Sequence, residues 1–440
     1  MDRRSFLISG AAAASANSGP FGSGPSETGL LPPPAMLGAL LNRERATDIM
    51  RRARIDAIAV SSPLNTYYVT NAVPVLSRFT QVNTAFALLP ADPKRPIAYI
   101  AGGFEYYAGV SDSGLAQGVV PYLVGGTFTE PNSDASPAFP MAGSFAFDAR
   151  EQRRRAALDS AAPFHASLAL AAENALKDLG LSRGRIGVDG ADAKLLVQQG
   201  APAATIRPAD DLMLHVRLVK TPAELLLMRR ASAANVQAAL ATARAAREEG
   251  SVWRVRQRFY REAAARGNLG VYGSVDLVMS ELADGPFREG QAFMIDFVSH
   301  YAFYQGDYGR TVFFGQPDPQ IRRACEIGTT AWHEIRDQLR PGLKFSEIHL
   351  LGSEIAAKLD RRLLYAFNPH SVGLQHWDHP RTTVEGTALD PVLETGMILS
   401  VDCPLLNAGV DGTTHIEDLT LITARGSECL HQPTEDSLQV

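Results

Sequence analysis

Along the first half of the chain, short apolar runs alternate with amphipathic stretches. Between 40 and 54, charged residues interleave with Leu, Ile and Met at helical spacing, which predicts a helix, and IDAIAV (55–60) follows as a buried strand. SSPLNTYYVTNA (61–72) reads as a turn-rich connection. TAFALLP (84–90) and PIAYIAG (96–102) read as strands, 158–180 as one long helix closed by Gly180, RIGVDG (185–190) as a strand and AKLLVQQG (193–200) as a short helix. This alternation predicts an α/β domain over 35–212 with a covered sheet.

The second half, 213–440, opens on a clear helix signal. Thr221 can act as N-cap, Pro222 takes the first helical position and Glu224 completes a capping box, so a long helix runs to about Glu249, with Gly250 as its stop. A second helix is predicted over 253–266, and strands dominate from Val271 to Gly315. Helices over 318–339 and 346–359 flank the turn RPGLKF, and strand and loop fill the remainder. The second half is therefore expected to be α+β.

The 440 residues are too many for one ordinary core and imply two domains or three. Hydrophobic residues at 45% and charged residues at 20% fit a soluble globular protein, and a net charge of −5 without a basic cluster argues against nucleic-acid binding. Past residue 20 nothing resembles a membrane span. Residues 1–16, MDRRSFLISGAAAASA, carry Arg3 and Arg4 ahead of a short apolar stretch and end on small residues, the pattern of a twin-arginine signal peptide; the mature protein is then expected in a bacterial periplasm or secreted. Residues 17–34, rich in Gly, Ser and Pro, read as a flexible leader. Cys325, Cys403 and Cys429 are far apart and odd in number, so no disulfide framework is expected.

Candidate chemistry sits in FMIDFVSHYAFYQGDYGRTVFFG (293–315), where two apolar strands each carry one acid, Asp296 and Asp307. An unpaired buried carboxylate costs several kcal/mol, so two on adjacent strands imply a cation between them. The competing reading makes Asp307 a turn cap paired with Arg310. Three more groups fall in strand-like settings: His370, Asp402 and Glu417. Four carboxylates and one imidazole suit one or two divalent ions of Mn, Fe, Co or Zn.

These residues resemble the motifs of the pita-bread metallopeptidases, the group containing prolidase, aminopeptidase P, methionine aminopeptidase and creatinase. Asp296, Asp307, Arg310 and Thr311 match the two-acid motif; His370, Gly373 and Leu374 match His-x-x-Gly-Leu; Gly396, Met397 and Ser400 match the segment before the fourth ligand; Ile416, Glu417 and Asp418 match Ile-Glu-Asp. Arg43 to Val69 and KTPAELLLMRRA look like the family's N-terminal domain and catalytic-domain opening. The resemblance implies a creatinase-type α/β N-terminal domain, an α+β pita-bread catalytic domain, and Asp296, Asp307, His370, Asp402 and Glu417 as ligands of a mononuclear or dinuclear centre. It also implies a homodimer in which the N-terminal domain contributes selectivity, with Asn65 to Thr70 as the stretch concerned.

Departures from the pattern shape the expected function. Asp402 stands where relatives carry Glu. Ala366, Trp377 and the histidine-free SVDLVMSELADGPFREG occupy the places of the family's peptide-handling histidines. Other histidines lie nearby: His376 six after His370, and His415 two before Glu417. With Glu417 they form the expected catalytic group, as base or hydrogen-bond donor. Trp377, His379 and Tyr304 are expected to bind substrate. The leading expectation is metal-dependent hydrolysis of a small amide, peptide or related C–N bond, in a small molecule or short peptide, by an enzyme other than an ordinary Xaa-Pro peptidase. Two alternatives stay open, a lyase resembling the family's dimethylsulfoniopropionate-cleaving member and a Xaa-Pro dipeptidase or aminopeptidase. A non-catalytic binding protein fits less well, because all five ligand positions keep metal-capable side chains.

Overall fold

The computed structural model describes residues 31, 37–77, 84–125, 146–161, 163–407 and 412–440. The expected signal peptide (1–16) lies outside the described residues, as does almost all of the expected leader (17–34). Among the described residues no helix is long and apolar enough to cross a membrane, and Cys325, Cys403 and Cys429 are all free thiols.

The N-terminal domain is built on six strands: β1 (Ala57–Val60), β2 (Ala85–Pro90), β3 (Ile97–Gly102), β4 (Val119–Val124), β5 (Arg185–Val188) and β6 (Thr205–Pro208), ordered β4-β3-β2-β1-β5-β6. β1 pairs antiparallel with β2 and parallel with β5. Every residue of β1 and β2 is buried, because both faces of the sheet are covered. Alternate side chains divide between two cores. Ile58, Val60, Ala87 and Leu89 pack with Met50, Tyr67 and Tyr68, whereas Ala57, Ala59, Phe86 and Leu88 pack with Ala172, Leu176 and Val197.

Two sequence expectations change here, and one helix spans an expected boundary. The segment 61–72 contains a helix, Pro63–Thr70, with proline in its first turn; Asn65 to Thr70 are all buried, so no amphipathic period betrays it. The expected helix over 158–180 is two, Ala149–Ser160 and Leu168–Asp178; Pro163 lies between them, and the Ser167 side chain accepts from Leu170 N at the restart. The helix Asp210–Arg217 runs across the boundary expected at 212/213.

The C-terminal half begins as the sequence indicates. Thr221 Oγ1 accepts from Glu224 N at 3.3 Å, Glu224 Oε2 accepts from Thr221 N at 2.8 Å, and the helix Pro222–Arg244 follows. It packs against β8 (Ala292–Tyr301) and β9 (Tyr304–Phe313), which with β7 (Leu269–Val275) and a short strand, Ile416–Asp418, form one sheet. β8 and β9 join through Ala302 and Phe303, both at positive φ (47° and 69°), the backbone of a tight two-residue hairpin. A second sheet comprises β10 (Asn368–Ser371), β11 (Ile398–Asp402), β13 (Thr420–Thr423) and β14 (Gly426–Cys429), Ile416–Asp418 being β12. The outer edge of β9 is shared: β12 pairs with Tyr308 to Arg310, and β15 (Ser437–Gln439) with Thr311 to Phe313. Helices Pro319–Gln338 and Phe345–Asp360 supply Trp332, Ile335, Ile348 and Ile355 to the core that backs the second sheet.

Candidate metal centre

β8, β9 and β12 place three groups in one row. Across the ladders Asp296 faces Gly309, and Gly309 faces Glu417, so a residue without a side chain separates two acids. Asp307 lies two rungs nearer the hairpin, opposite Val298. From the second sheet, His370 stands opposite Ser400, and Asp402 ends β11 opposite Asn368. All five residues expected as ligands thus meet where the two sheets converge.

His370 Nε2 lies 3.3 Å from Glu417 Oε1, 3.6 Å from Asp402 Oδ2 and 3.9 Å from Asp307 Oδ2. Its Nδ1 is 3.0 Å from the His376 carbonyl. A carbonyl can only accept, so Nδ1 carries a proton, and Nε2 is the ring nitrogen that faces the acids. Donors for those acids are scarce. Tyr272 OH donates to Asp296 Oδ2 at 2.6 Å and Ser400 Oγ to Glu417 Oε1 at 2.5 Å. Asp296 Oδ1 and both oxygens of Asp307 are buried with no hydrogen-bond partner.

This crowding sets the protonation states. Burial, and next the charge of Glu417, raises Asp296 to about 6 and Asp402 to about 8, and drives Asp307 well above the usual carboxylate range. Burial also opposes charge on Glu417, yet the imidazoles of His370 and His415 overcome it and hold Glu417 well below its ordinary value. On His415 burial is likewise outweighed, by the Glu417 hydrogen bond and the surrounding acids, to about 9. His376 goes the other way: burial and the neighbouring His370 lower it to about 4 and keep it neutral.

Orphaned buried oxygens around an imidazole nitrogen that faces them fit a divalent cation centre. Two groupings have donor atoms within 4.8 Å of one another, Asp296 with Asp402, His415 and Glu417, and Asp307 with His370 and His376. Asp418, Cys429 and His431 also converge, but there Arg310 already neutralises the acid. Asp418 Oδ1 accepts from Arg310 Nη2 at 2.6 Å and lies 3.0 Å from His431 Nε2, while Oδ2 accepts from Trp332 Nε1 at 3.2 Å. Arg310 therefore pairs with Asp418 and not with Asp307, and its Nη1 also donates to the Glu417 carbonyl at 2.8 Å, tying β12 to β9.

The other expected site residues separate into two groups. His376, partly exposed, places Nδ1 3.4 Å from Asp307 Oδ2, and its ring lies edge-on to Tyr272 at 5.6 Å. With Trp377 and His379 it lines a cavity of about 420 Å³ completed by Leu214, Gln375 and Arg381. Trp377 is 56% exposed, at the mouth. Tyr304 is not at the centre: it is fully buried, and its hydroxyl donates to Glu224 at 3.2 Å. Asn65 is also buried, donating to Asp189 at 2.8 Å and accepting from Arg217 at 2.6 Å, which makes it a structural link.

Sequence reasoning missed Tyr272, which no motif marks, and the anchor of the 375–379 loop. In that anchor Asp378 pairs with Arg217 at 2.5 Å and Lys220 at 3.1 Å, all three buried, and Arg217 also donates to Gln375 at 2.7 Å. The loop carrying His376 and Trp377 is thereby pinned to the junction of the two domains.

Residues 226–424 match the model of metallopeptidase family M24. Curated relatives include a Xaa-Pro dipeptidase of Pyrococcus horikoshii, 27% identical over 149 residues covering 34% of this chain and 41% of the relative. A methionine aminopeptidase of Aquifex aeolicus is 27% identical over 148 residues, 33% of this chain and 57% of its own. These matches span about half the length of the relatives. Among solved structures, the Pyrococcus horikoshii prolidase has a TM-score of 0.62 at 18% identity, covering 90% of this chain and 99% of that one. A Xaa-Pro dipeptidase from Bacillus anthracis has a TM-score of 0.63 at 18% identity with the same coverage. The fold is thus shared over both halves while few residues are: the match to metallopeptidase family M24 lies in residues 226–424, and the architecture is a pita-bread catalytic domain behind an α/β N-terminal domain.

Proposed function

We propose that this protein is a metal-dependent hydrolase of a small amide, peptide or related C–N bond, with Asp296, Asp307, His370, Asp402 and Glu417 holding one or two divalent ions. The observation that carries the reading is the pair of unpartnered Asp307 oxygens buried beside Asp296, His370 and Glu417. Ions bound there would supply Lewis-acid polarisation of a scissile carbonyl and acidify water. Glu417, which accepts a hydrogen bond from Ser400, or a neighbouring histidine would move the proton within the centre. Neutral His376, at the border between centre and cavity, can accept a proton or donate a hydrogen bond to substrate. Trp377, His379 and Arg381 would receive the remainder of the substrate in the cavity, Arg381 favouring an anionic end.

Removing metal with a chelator should abolish hydrolysis, and adding Mn, Zn, Co or Fe should restore it; activity that survives complete metal removal contradicts the reading. The relatives' names include Xaa-Pro dipeptidase and methionine aminopeptidase, so the substrate panel includes both peptide types beside small amides. We infer a substrate other than ordinary Xaa-Pro peptides from Ala366 and Trp377, which stand where the resemblance calls for histidines. A Xaa-Pro dipeptide turned over as fast as the best substrate overturns that part. Two further elements belong to this reading. Export by the signal at 1–16 is checked by fractionating the native host, and pairing of subunits by light scattering.

A further inference from the structure

We propose that His415 is itself a metal ligand, so that the centre holds its ions with a second imidazole besides His370. The inference rests on the metal-centre reading above and concerns a residue that reading leaves without a role. Its Nε2 points at the acids, 3.2 Å from Glu417 Oε2 and 3.9 Å from Asp402 Oδ1, and shares one cluster of donor atoms with Asp296.

Three features of the fold serve this orientation. Gly309 leaves the space: a Cβ built there would lie 2.1 Å from His415 Cδ2 and 2.3 Å from Nε2, so the ring occupies the gap in the Asp296–Gly309–Glu417 row. Thr311 holds the backbone from both sides, its hydroxyl accepting from His415 N at 3.0 Å and donating to His415 O at 3.1 Å. Residues 415 and 417 lie two apart, so their side chains share a face. Burial then restricts what the ring can do. The side chain is 1% exposed, which removes it from the substrate cavity where His376 sits. Its Nδ1 is buried without a hydrogen-bond partner, so the polar contacts the ring does make are those of Nε2 with the acids.

The test uses the full chain stripped of metal and supplied with zinc alone. In crystals, the anomalous zinc peak is expected about 2.0–2.1 Å from His415 Nε2. Zinc bound among the acids with Nε2 beyond coordinating distance overturns this proposal and leaves the metal centre standing, whereas no bound zinc overturns both. In solution, His415→Gln keeps an N–H that can reach Glu417 but removes the imidazole. Zinc affinity, read by competition with a chromophoric chelator, is expected to fall at least about tenfold. An unchanged affinity shows a hydrogen-bonding role only and overturns the proposal; if the variant does not fold, the crystallographic distance decides.

Discussion

Asp307 and Arg310 are three residues apart on β9, and their environments are opposite in kind. Asp307 has no donor at either oxygen, while Arg310 is satisfied by Asp418, Thr434 and three backbone carbonyls. Without a cation, burial and the neighbouring acids favour the protonated form of Asp307, so Asp307→Asn should change little in the metal-free protein. We expect a melting shift of no more than about 2–4 °C, equivalent to ~1 kcal/mol for a large domain, with complete loss of the extra stability that added zinc confers. A variant still stabilised by zinc would remove Asp307 from the ligand set. Asp418→Asn is the converse, since it leaves a buried guanidinium without its counter-charge. It should cost about 3–5 kcal/mol in urea unfolding whether or not metal is present. The lone acids were legible in the sequence because apolar strands rarely carry them. The pairing of Asp307 with Arg310 fails on strand parity: an odd spacing sends the two side chains to opposite faces. The same parity takes Tyr304 away from Asp307 and into the interface with Glu224.

At the scale of elements, the row Asp296–Gly309–Glu417 depends on β9 having nothing at its centre. Gly309→Ala places a methyl against the His415 ring and 3.1 Å from Glu417 Cβ. Overpacking of this kind costs ~1–3 kcal/mol, and zinc affinity should fall together with stability, both measurable in one thermal-shift titration; an alanine variant with native zinc affinity would show that the row tolerates a side chain. The capped helix Pro222–Arg244 and the strands β8 and β9 could be read from the chain, because each has a start signal or a continuous apolar run. The helix Pro63–Thr70 could not, because it is buried all round and carries no period. Its neighbour Asn71 takes a left-handed conformation (φ 62°) and donates to Gly38 O at 2.9 Å, so tertiary contact fixes its end. The position of Tyr272 was also hidden, since it follows from the β7–β8 register and that ladder shifts between Gly270 and Tyr272.

Across the whole molecule, charge buried at the domain junction holds the loop that borders the metal centre. Burial opposes ionisation of Asp378, but Arg217 and Lys220 prevail and hold its pKa below the usual value. A depressed acid stabilises the fold above its unfolded pKa, about 3.9, and that contribution is lost as pH falls through the lower folded value. Asp378→Asn should therefore lower the melting temperature at pH 7 and narrow its distance from the parent as pH drops toward 3; a gap independent of pH would rule out the ion pair as its source. The two-part architecture was legible from alternation. The junction was not, because Asn65, Asp189, Arg217 and Asp378 are distant in sequence and meet only when both domains are folded. Trp377, on the loop they secure, is exposed, and its ring lies 6.3 Å from that of His370. Its indole is therefore a built-in optical probe: a paramagnetic ion such as Co(II) seated beside His370 should quench the solvent-exposed emission that Trp377→Phe removes, and the occupancy of the centre can be read as light, independently of any substrate.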